Sequence, residues 1–346
     1  MSITVSTGVP HHWEQRYPGA TVFAGRRWID LGSVWYPGEL LTLEAVDAQL
    51  AITGAVVETP LSAARRCPWS IASGAMSGQG FAADGPHPWA GLQAQEVSPV
   101  LFLMFPYYLG DIVGGDARRP EALDVFLADC EGWARAQGCR SVAFMYGTDI
   151  PEQAAALARA GYARVPVTQR GELRVTWSDW EGYLAGFASR RRQRLRKDRE
   201  AIAAAGVLLA EEPLPDDTAQ LVELRCNLLR KYGALHSVAD EQAMVDRVAA
   251  LRPRDSLTMM TARHGGRLVS YTVFVRDGVQ WTPILAGSDY SDESSNCYFG
   301  TTFYLPVSLA AGRGVEVIDY GAGAIATKRL RGCAVTDLVA HVRGLG

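Results

Sequence analysis

The 346-residue sequence contains no apolar run of the roughly 18 residues that a membrane-spanning helix needs. Its most apolar stretch, SPVLFLMFPYYLG, is short and is interrupted by Pro106. The opening residues, MSITVSTGVPHHWEQRYPG, have neither a basic start nor an apolar stretch, so no secretory leader is expected. Cysteine is scarce: Cys67, Cys130, Cys139, Cys226, Cys297 and Cys333 are the six, and none stands in C-x-x-C spacing. That pattern fits reduced thiols in a cytoplasmic protein and excludes a disulfide framework. Histidine is equally sparse, and the one adjacent pair, His11-His12, cannot share a helix face. No metal site is expected. There is no excess of positive charge either, since the net charge is −3. That balance argues against a large nucleic-acid footprint.

What is present is an ordinary globular composition, 48% apolar and 21% charged, with a length that predicts two domains. Residues 57–100 are rich in Gly, Pro, Ser and Ala and carry no assignable pattern. From about residue 100 the periodicity sharpens. VLFLMFP reads as a buried strand, RPEALDVFLADCEGWARAQG as a helix with Pro120 near its start, and RSVAFMYG as a strand. PEQAAALARAG is a short helix stopped by Gly161, and YARVPV is a strand. Further on, SLTMMTAR, RLVSYTVFVRDG and VQWTPILAG are β-rich runs separated by His264-Gly265-Gly266 and Asp277-Gly278, which suit tight hairpin turns. YFGTTFYLPVSLAAGRG reads as a helix, VEVIDYG as a strand, AIATKRLRG as a short helix and AVTDLVAHV as a last strand.

Residues 120–167 and 298–342 therefore show one order of elements: helix, strand, short helix, glycine, strand. Aligning Gly161 with Gly332 places AAALARAGYARV against AIATKRLRGCAV. The reading is a duplicated α/β unit. The copies differ in charge. Lys328 stands opposite Leu157 and Arg331 opposite Ala160, which gives the second copy either a task beyond packing or a solvated helix face.

The segment ASRRRQRLRKDREAIAAAG concentrates positive charge, with seven basic residues among the ten from Arg190 to Arg199. Ser178 and Glu181 form a capping-box pattern that predicts a helix start, running or bending into the basic segment and ending at Gly206. On helical spacing Arg190, Arg194 and Lys197 share one face, and Leu195 and Ile202 mark a thin apolar stripe. Arg194–Asp198 and Arg196–Glu200 are expected i,i+4 pairs. If Ser189 starts a new helix, three arginines lie at its positive dipole end, at a cost of about 0.3–1 kcal/mol per charge. Such a run is expected to meet an anion, namely phosphates of tRNA, phosphates of CoA or an anionic acceptor; the alternative is a solvated face. Phosphate contacts of this kind give affinity without sequence readout.

The strand meander followed by helix–strand–helix–strand resembles the GNAT acyltransferase superfamily. SDWEGYLAGFASRRRQRLRKDRE, YFGTTFYLPVSLAAGRGVEVIDYGAG and TKRLRG resemble its duplicated-domain branch, which includes the Fem-type aminoacyltransferases. The resemblance is clearest over 170–342 and weaker over 15–165. It implies an α/β fold of two tandem GNAT-like domains with mixed, mostly antiparallel sheets. The expected domains are 1–168 and 169–346, the second carrying a basic helix at 189–205. It also implies transfer of an activated acyl group to an amine without a covalent enzyme intermediate. Lys328 inherits the position of a lysine implicated near the donor ester, where an ammonium would stabilise an oxyanion or pair with a phosphate. The Q/R-x-x-G-x-G/A phosphate loop of acetyl-CoA-using members is missing. VGGDARRP and GSDYSDESSN stand in its place, and Asp289, Asp292 and Glu293 of the second would repel a pyrophosphate.

Several other residues fall where the resemblance places a site. Asp319 ends a strand and is a candidate to hold the attacking amine or take its proton, or to cap the next helix. Tyr298 is a candidate general acid. Tyr290, Tyr232 and His236 are candidate acceptor contacts. Arg190, Arg194, Lys197 and Arg331 are candidate donor-phosphate contacts, with Arg331 supporting Lys328. The expected activity is amide-bond formation with aminoacyl-tRNA as donor and a small-molecule amine as acceptor. Acyl-CoA or an acyl carrier protein is the alternative donor. A non-catalytic nucleic-acid-binding protein is the rival of another class. No tightly bound cofactor, no metal and no membrane partner are expected.

Overall fold

A computed structural model describes the chain except for residues 1, 19–20, 34–35, 62–65, 77–84, 86, 235–236, 251–255 and 291–295. Two compact units emerge, Met1–Arg170 with Thr336–Gly346, and Gly171–Val335. The division falls at 170/171, beside the boundary expected at 168/169. The last residues, expected in the second domain, belong to the first unit because the final strand pairs there.

The strands are β1 (Thr4–Thr7), β2 (Leu41–Ala45), β3 (Leu50–Val57), β4 (Val100–Leu103), β5 (Ser141–Gly147), β6 (Ala163–Arg174), β7 (Val207–Glu212), β8 (Leu257–His264), β9 (Arg267–Asp277), β10 (Gln280–Ser288), β11 (Val317–Ala322) and β12 (Ala334–Gly344). In the first unit their order is β1-β2-β3-β4-β5-β12-β6. There β4 and β5 are parallel, whereas β1/β2, β2/β3, β3/β4 and β5/β12 are antiparallel. In the second unit the order is β6-β11-β10-β9-β8-β7, β6 running on from the first. There β10 and β11 are parallel, and the β7–β10 meander is antiparallel. The fold is mixed α/β with mostly antiparallel sheets, as the sequence predicts.

Local chemistry explains the elements. The helix Pro120–Ala136 starts with proline at its first turn and buries Ala122, Leu123, Phe126, Leu127 and Cys130, the i, i+3/i+4 stripe of an amphipathic helix. The β8–β9 hairpin closes on Gly265 and Gly266, both at positive φ (55° and 84°), the conformation a two-residue reverse turn demands. Early in the chain, where the sequence gives least, a helix spans Arg26–Gly32 and buries Trp28, Ile29 and Leu31. Each unit has its own core. Leu43, Ile52, Leu101 and Phe126 lie in the first, and Met260, Phe274, Trp281 and Ile318 in the second.

The duplication is visible in backbone detail. Each copy has a parallel strand pair bridged by a helix, β4/β5 across Pro120–Ala136 and β10/β11 across the helical segment 297–313. Each then has a short helix, Pro151–Arg159 and Ile325–Arg329, halted by a left-handed glycine: Gly161 at φ 82° and Gly332 at φ 84°. Lys328 and its counterpart Leu157 are both buried, at 6% and 5% exposure. The lysine thus occupies a core position, and the expectation of a possible solvated face at 328 is corrected.

Candidate functional site

The second unit's parallel strands share only two register pairs, Gln280 with Val317 and Trp281 with Ile318. Beyond them β10 stays on β9 as far as Ser288, while β11 turns away through Gly321, Gly323 and Ala324, all at positive φ. The carbonyls at the end of β11 are thereby left without a β10 partner. Lys328 supplies one. Its Nζ donates to the carbonyl oxygens of Tyr320 (2.7 Å), Gly321 (2.6 Å) and Ala322 (3.0 Å). An ammonium has three donors, and all three are engaged. Burial pushes the Lys328 pKa down to about 8, against the pull of Asp319. Its stem lies against Gly171, where an added Cβ would come within 2.8 Å of Lys328 Cδ. Asp319 is 3% exposed, and its Oδ1 accepts from the Gly321 amide at 2.9 Å. Asp319 thus caps the turn after β11 and does not cap a helix.

Arg331 is also buried. Its guanidinium carbon lies 3.9 Å from the Phe299 ring centre and 4.9 Å from that of Phe303. Nη1 donates to the Thr327 carbonyl (3.2 Å) and Nη2 to the Tyr304 hydroxyl (3.3 Å), while Nε finds no acceptor among the described residues. The aromatic rings come from one segment, YFGTTFY, in which Gly300–Tyr304 form a π-helical turn. Such turns re-aim side chains and are common at functional sites. Tyr298, Tyr290 and Tyr232 form a cluster: burial raises the pKa of Tyr290 and of Tyr298, and the Tyr232 phenol adds to both. Lys231 Nζ stands 3.5 Å from the Tyr290 ring centre, a cation–π contact. Tyr298 is half-buried and its raised pKa keeps it protonated at neutral pH, so it is a donor and not a base. Tyr232 is 67% exposed. His236 lies outside the described residues.

The basic segment is a separate helix. Asp179, not Ser178, caps the helix Trp180–Ala185 by accepting from the Gly182 amide (2.8 Å), and Ser189–Ala204 starts afresh without a side-chain cap. Arg190, Arg191 and Arg192 therefore sit at the positive end of the helix dipole, with no acid in the first turn. Leu195 and Ile202 are its buried residues. Arg194 pairs with Asp198 (3.0 Å) as expected, but Arg196 pairs with Glu181 of the preceding helix and not with Glu200. Arg199 stacks on Trp180 at 4.7 Å. Arg190, Arg194 and Lys197 share an exposed face. Arg331 does not join that face, being enclosed by rings. Arg191 links the two regions by donating to the Leu330 carbonyl (3.0 Å), at the end of the helix that carries Lys328. Sequence reasoning missed Asp198 as the partner of Tyr304 (3.0 Å) and the aromatic surround of Arg331. The paired aromatics at 298–299 and 303–304 were the available signal.

Residues 189–329 match the family described as "Acetyltransferase (GNAT) domain". The C-terminal unit is a GNAT domain. Solved structures extend the likeness over the whole chain. A conserved protein of unknown function from Bacteroides thetaiotaomicron is 11% identical, covers 99% of this chain and 100% of its own, and has a TM-score of 0.60. FemX is 9% identical, with 97% and 96% covered and a TM-score of 0.59. L-PGS from Bacillus licheniformis is 13% identical, with 85% and 81% covered and a TM-score of 0.52. At such identities the likeness is one of fold, and it supports a tandem arrangement of two GNAT-like units. No curated protein matches the chain in sequence. Among the described residues no helix is long and apolar enough to cross a membrane, and no group of His, Cys, Asp and Glu is placed to hold a metal ion.

Proposed function

We propose that this GNAT protein is an acyltransferase that takes an aminoacyl group from aminoacyl-tRNA and forms an amide on a small amine. The amine nitrogen attacks the acyl carbonyl carbon, and a C–N bond forms. The bond from that carbon to the carrier oxygen then breaks, and the amine proton ends on the departing hydroxyl. With its three donors held by carbonyls, the Lys328 ammonium at the end of β11 acts through its field, stabilising oxygen charge that develops at the acyl carbonyl. Asp319, beside the same turn, orients the amine. Tyr298, protonated at neutral pH, hands its proton to the leaving oxygen and regains one from the attacking nitrogen, so the amine proton reaches the departing hydroxyl by way of the phenol. Arg331, bonded to the Thr327 carbonyl, braces the helix that carries Lys328, and Tyr290 and Tyr232 receive the acceptor beside Lys231.

The observation that carries the donor class is the exposed face of Arg190, Arg194 and Lys197, on a helix bonded through Arg191 to the end of the Lys328 helix. Three outward cations on one face suit a polyanionic carrier. Acyl-CoA is the co-substrate of GNAT proteins generally and is the second reading, with an acyl carrier protein as a variant of it. Against CoA stands Asp289, a carboxylate ahead of the helix where a pyrophosphate loop would lie; it pairs with Arg267 at 2.9 Å. The test is incubation with a charged tRNA pool, an acyl-CoA panel and an acyl carrier protein, each with a panel of amines. Amide formed only from charged tRNA supports the proposal, and transfer from CoA thioesters alone overturns it. No transfer from any donor, with salt-sensitive nucleic-acid binding, favours a non-catalytic binding protein.

A further inference from the structure

We propose that the first unit holds a binding site for a primary amine on a short apolar stem, with Asp111 as the partner of its ammonium. The unit contains a cavity of about 430 Å³ lined by Tyr17, Leu109, Val113, Ile150, Asp111 and Arg118, among others. That is within the size range of small-molecule pockets, and the mix of apolar wall and one deep charge is their usual make-up. Asp111 is 9% exposed. Its carboxylate accepts from the Thr148 amide (2.8 Å) and hydroxyl (2.7 Å), and among the described residues it makes no ion pair. A buried carboxylate without a counter-charge is costly, and burial indeed pushes its pKa up.

The surrounding charges do not answer it: Arg118, on the same wall, is exposed and is not among the charges that act on Asp111. Asp149 adds repulsion, and its own partner is Arg164, at 2.8 Å. His341, near Asp149, is held neutral because burial pushes its pKa down to about 4. Arg170 attracts Asp111 through space, but less than burial penalises it. Arg16 is occupied by Glu44 at 3.5 Å. The other polar wall groups are satisfied as well. Gln153 donates to the Ile112 (2.8 Å) and Ala117 (3.3 Å) carbonyls and accepts from the Ile112 amide (2.9 Å), and the Tyr17 hydroxyl donates to Glu44 (3.1 Å). Asp111 keeps unused lone pairs, since a carboxylate offers about four acceptor sites and Thr148 uses two.

The occupant's chemistry follows. One carboxylate neutralises one positive charge, and Ca²⁺ or Mg²⁺ would need about six oxygen ligands. Thr148 already holds both oxygens, which disfavours the parallel fork of a guanidinium and leaves room for a compact ammonium. The apolar walls then take a stem. The cavity is preformed by close backbone crossing: Gly114 has φ 127°, and a Cβ there would lie 1.6 Å from the Gln49 carbonyl oxygen. The site belongs wholly to the first unit and does not depend on which donor the GNAT domain uses.

The experiment is calorimetric titration of the full chain with n-butylamine and n-hexylamine against the matching alcohols. The amines are expected to bind, with the alcohols at least about tenfold weaker. Asp111→Asn should weaken amine binding by at least about thirtyfold. Val113→Phe fills the cavity without touching Asp111 and should abolish binding; it decides the matter if Asp111→Asn does not fold. Alcohols binding as well as amines, equal amine affinity in the folded variants, or no amine binding to the folded wild type at millimolar concentration would each overturn the proposal.

Discussion

Arg331 reaches Asp198 only through Tyr304: Nη2 donates to the phenol oxygen at 3.3 Å, and that hydroxyl donates to Asp198 Oδ2 at 3.0 Å. Asp198 is also the partner of Arg194, whose side chain is 76% exposed on the outer face of the basic helix. A buried guanidinium with no direct carboxylate among the described residues is therefore balanced by ring faces and by a relay that ends at the surface. Charge taken up outside and charge held inside share one carboxylate.

Tyr304→Phe removes both hydroxyl bonds and leaves the guanidinium with one acceptor fewer. The expected cost is about 1–3 kcal/mol of stability, measured by urea unfolding. Asp198→Asn alone should cost less. In the double variant the two effects should fall short of their sum by at least about 0.5 kcal/mol, the mark of residues in one network. Strict additivity would show that the relay is not energetically coupled.

Lys328 makes a pH prediction with a definite sign. Its folded pKa of about 8 is below the ordinary 10.5, so the folded chain releases this proton more readily than the unfolded chain. Between those values the unfolded state binds more protons, and stability rises with pH. Below about pH 8 the penalty is present in full. The window is worth about 3.5 kcal/mol at most, from roughly 1.4 kcal/mol per pKa unit. Lys328→Met should flatten that rise in urea midpoints between pH 8 and pH 10 and should abolish acyl transfer. An unchanged slope would mean that the ammonium is not desolvated; unchanged turnover would remove it from the reaction.

Gly171 tests the same lysine from behind. Gly171→Ala places a methyl group 2.8 Å from Lys328 Cδ. The stem has to move, and Nζ with it, away from the three carbonyls. Overpacking of this kind costs about 1–3 kcal/mol. Turnover is expected to fall tenfold or more while the variant stays folded by circular dichroism, because placement of the charge sets its worth. Wild-type turnover in Gly171→Ala would show that the three-carbonyl clamp has no part in catalysis.

Periodicity and glycine placement made the second unit readable. The β8–β9–β10 meander, the helix over 298–313 and the Gly161/Gly332 correspondence all follow from patterns of period two or 3.6 closed by residues that tolerate positive φ. The first hundred residues were opaque because their strands are short and their connections are rich in Gly, Pro and Ser. In the candidate site, Lys328 was identifiable as a charge placed where its repeat counterpart is apolar. That it would be clamped by Tyr320, Gly321 and Ala322 was not, since the clamp depends on the turn after β11. Arg196 bonding to Glu181 and not to Glu200 has the same cause: tertiary neighbours outcompete helical spacing.

The basic helix separates binding from folding most cleanly. Arg190, Arg192 and Lys197 have no intrachain partner among the described residues, and the first-turn arginines oppose the helix dipole. Replacing Arg190, Arg194 and Lys197 with glutamine removes charge from a solvated surface and breaks one exposed pair, Arg194–Asp198. The loss of that pair and the relief at the helix start are each below about 1 kcal/mol and opposite in sign, so stability should change little. If the face binds a phosphate-bearing carrier, donor KM should rise at least tenfold. The dependence of log affinity on log salt should also flatten, by roughly 0.7–0.9 per lost phosphate contact. Turnover at saturating donor should hold, because none of the three side chains touches Lys328, and the Asp198–Tyr304–Arg331 bonds remain when Arg194 is replaced. An unchanged KM together with an unchanged salt slope would leave the face as solvated charge and would return the donor assignment to acyl-CoA.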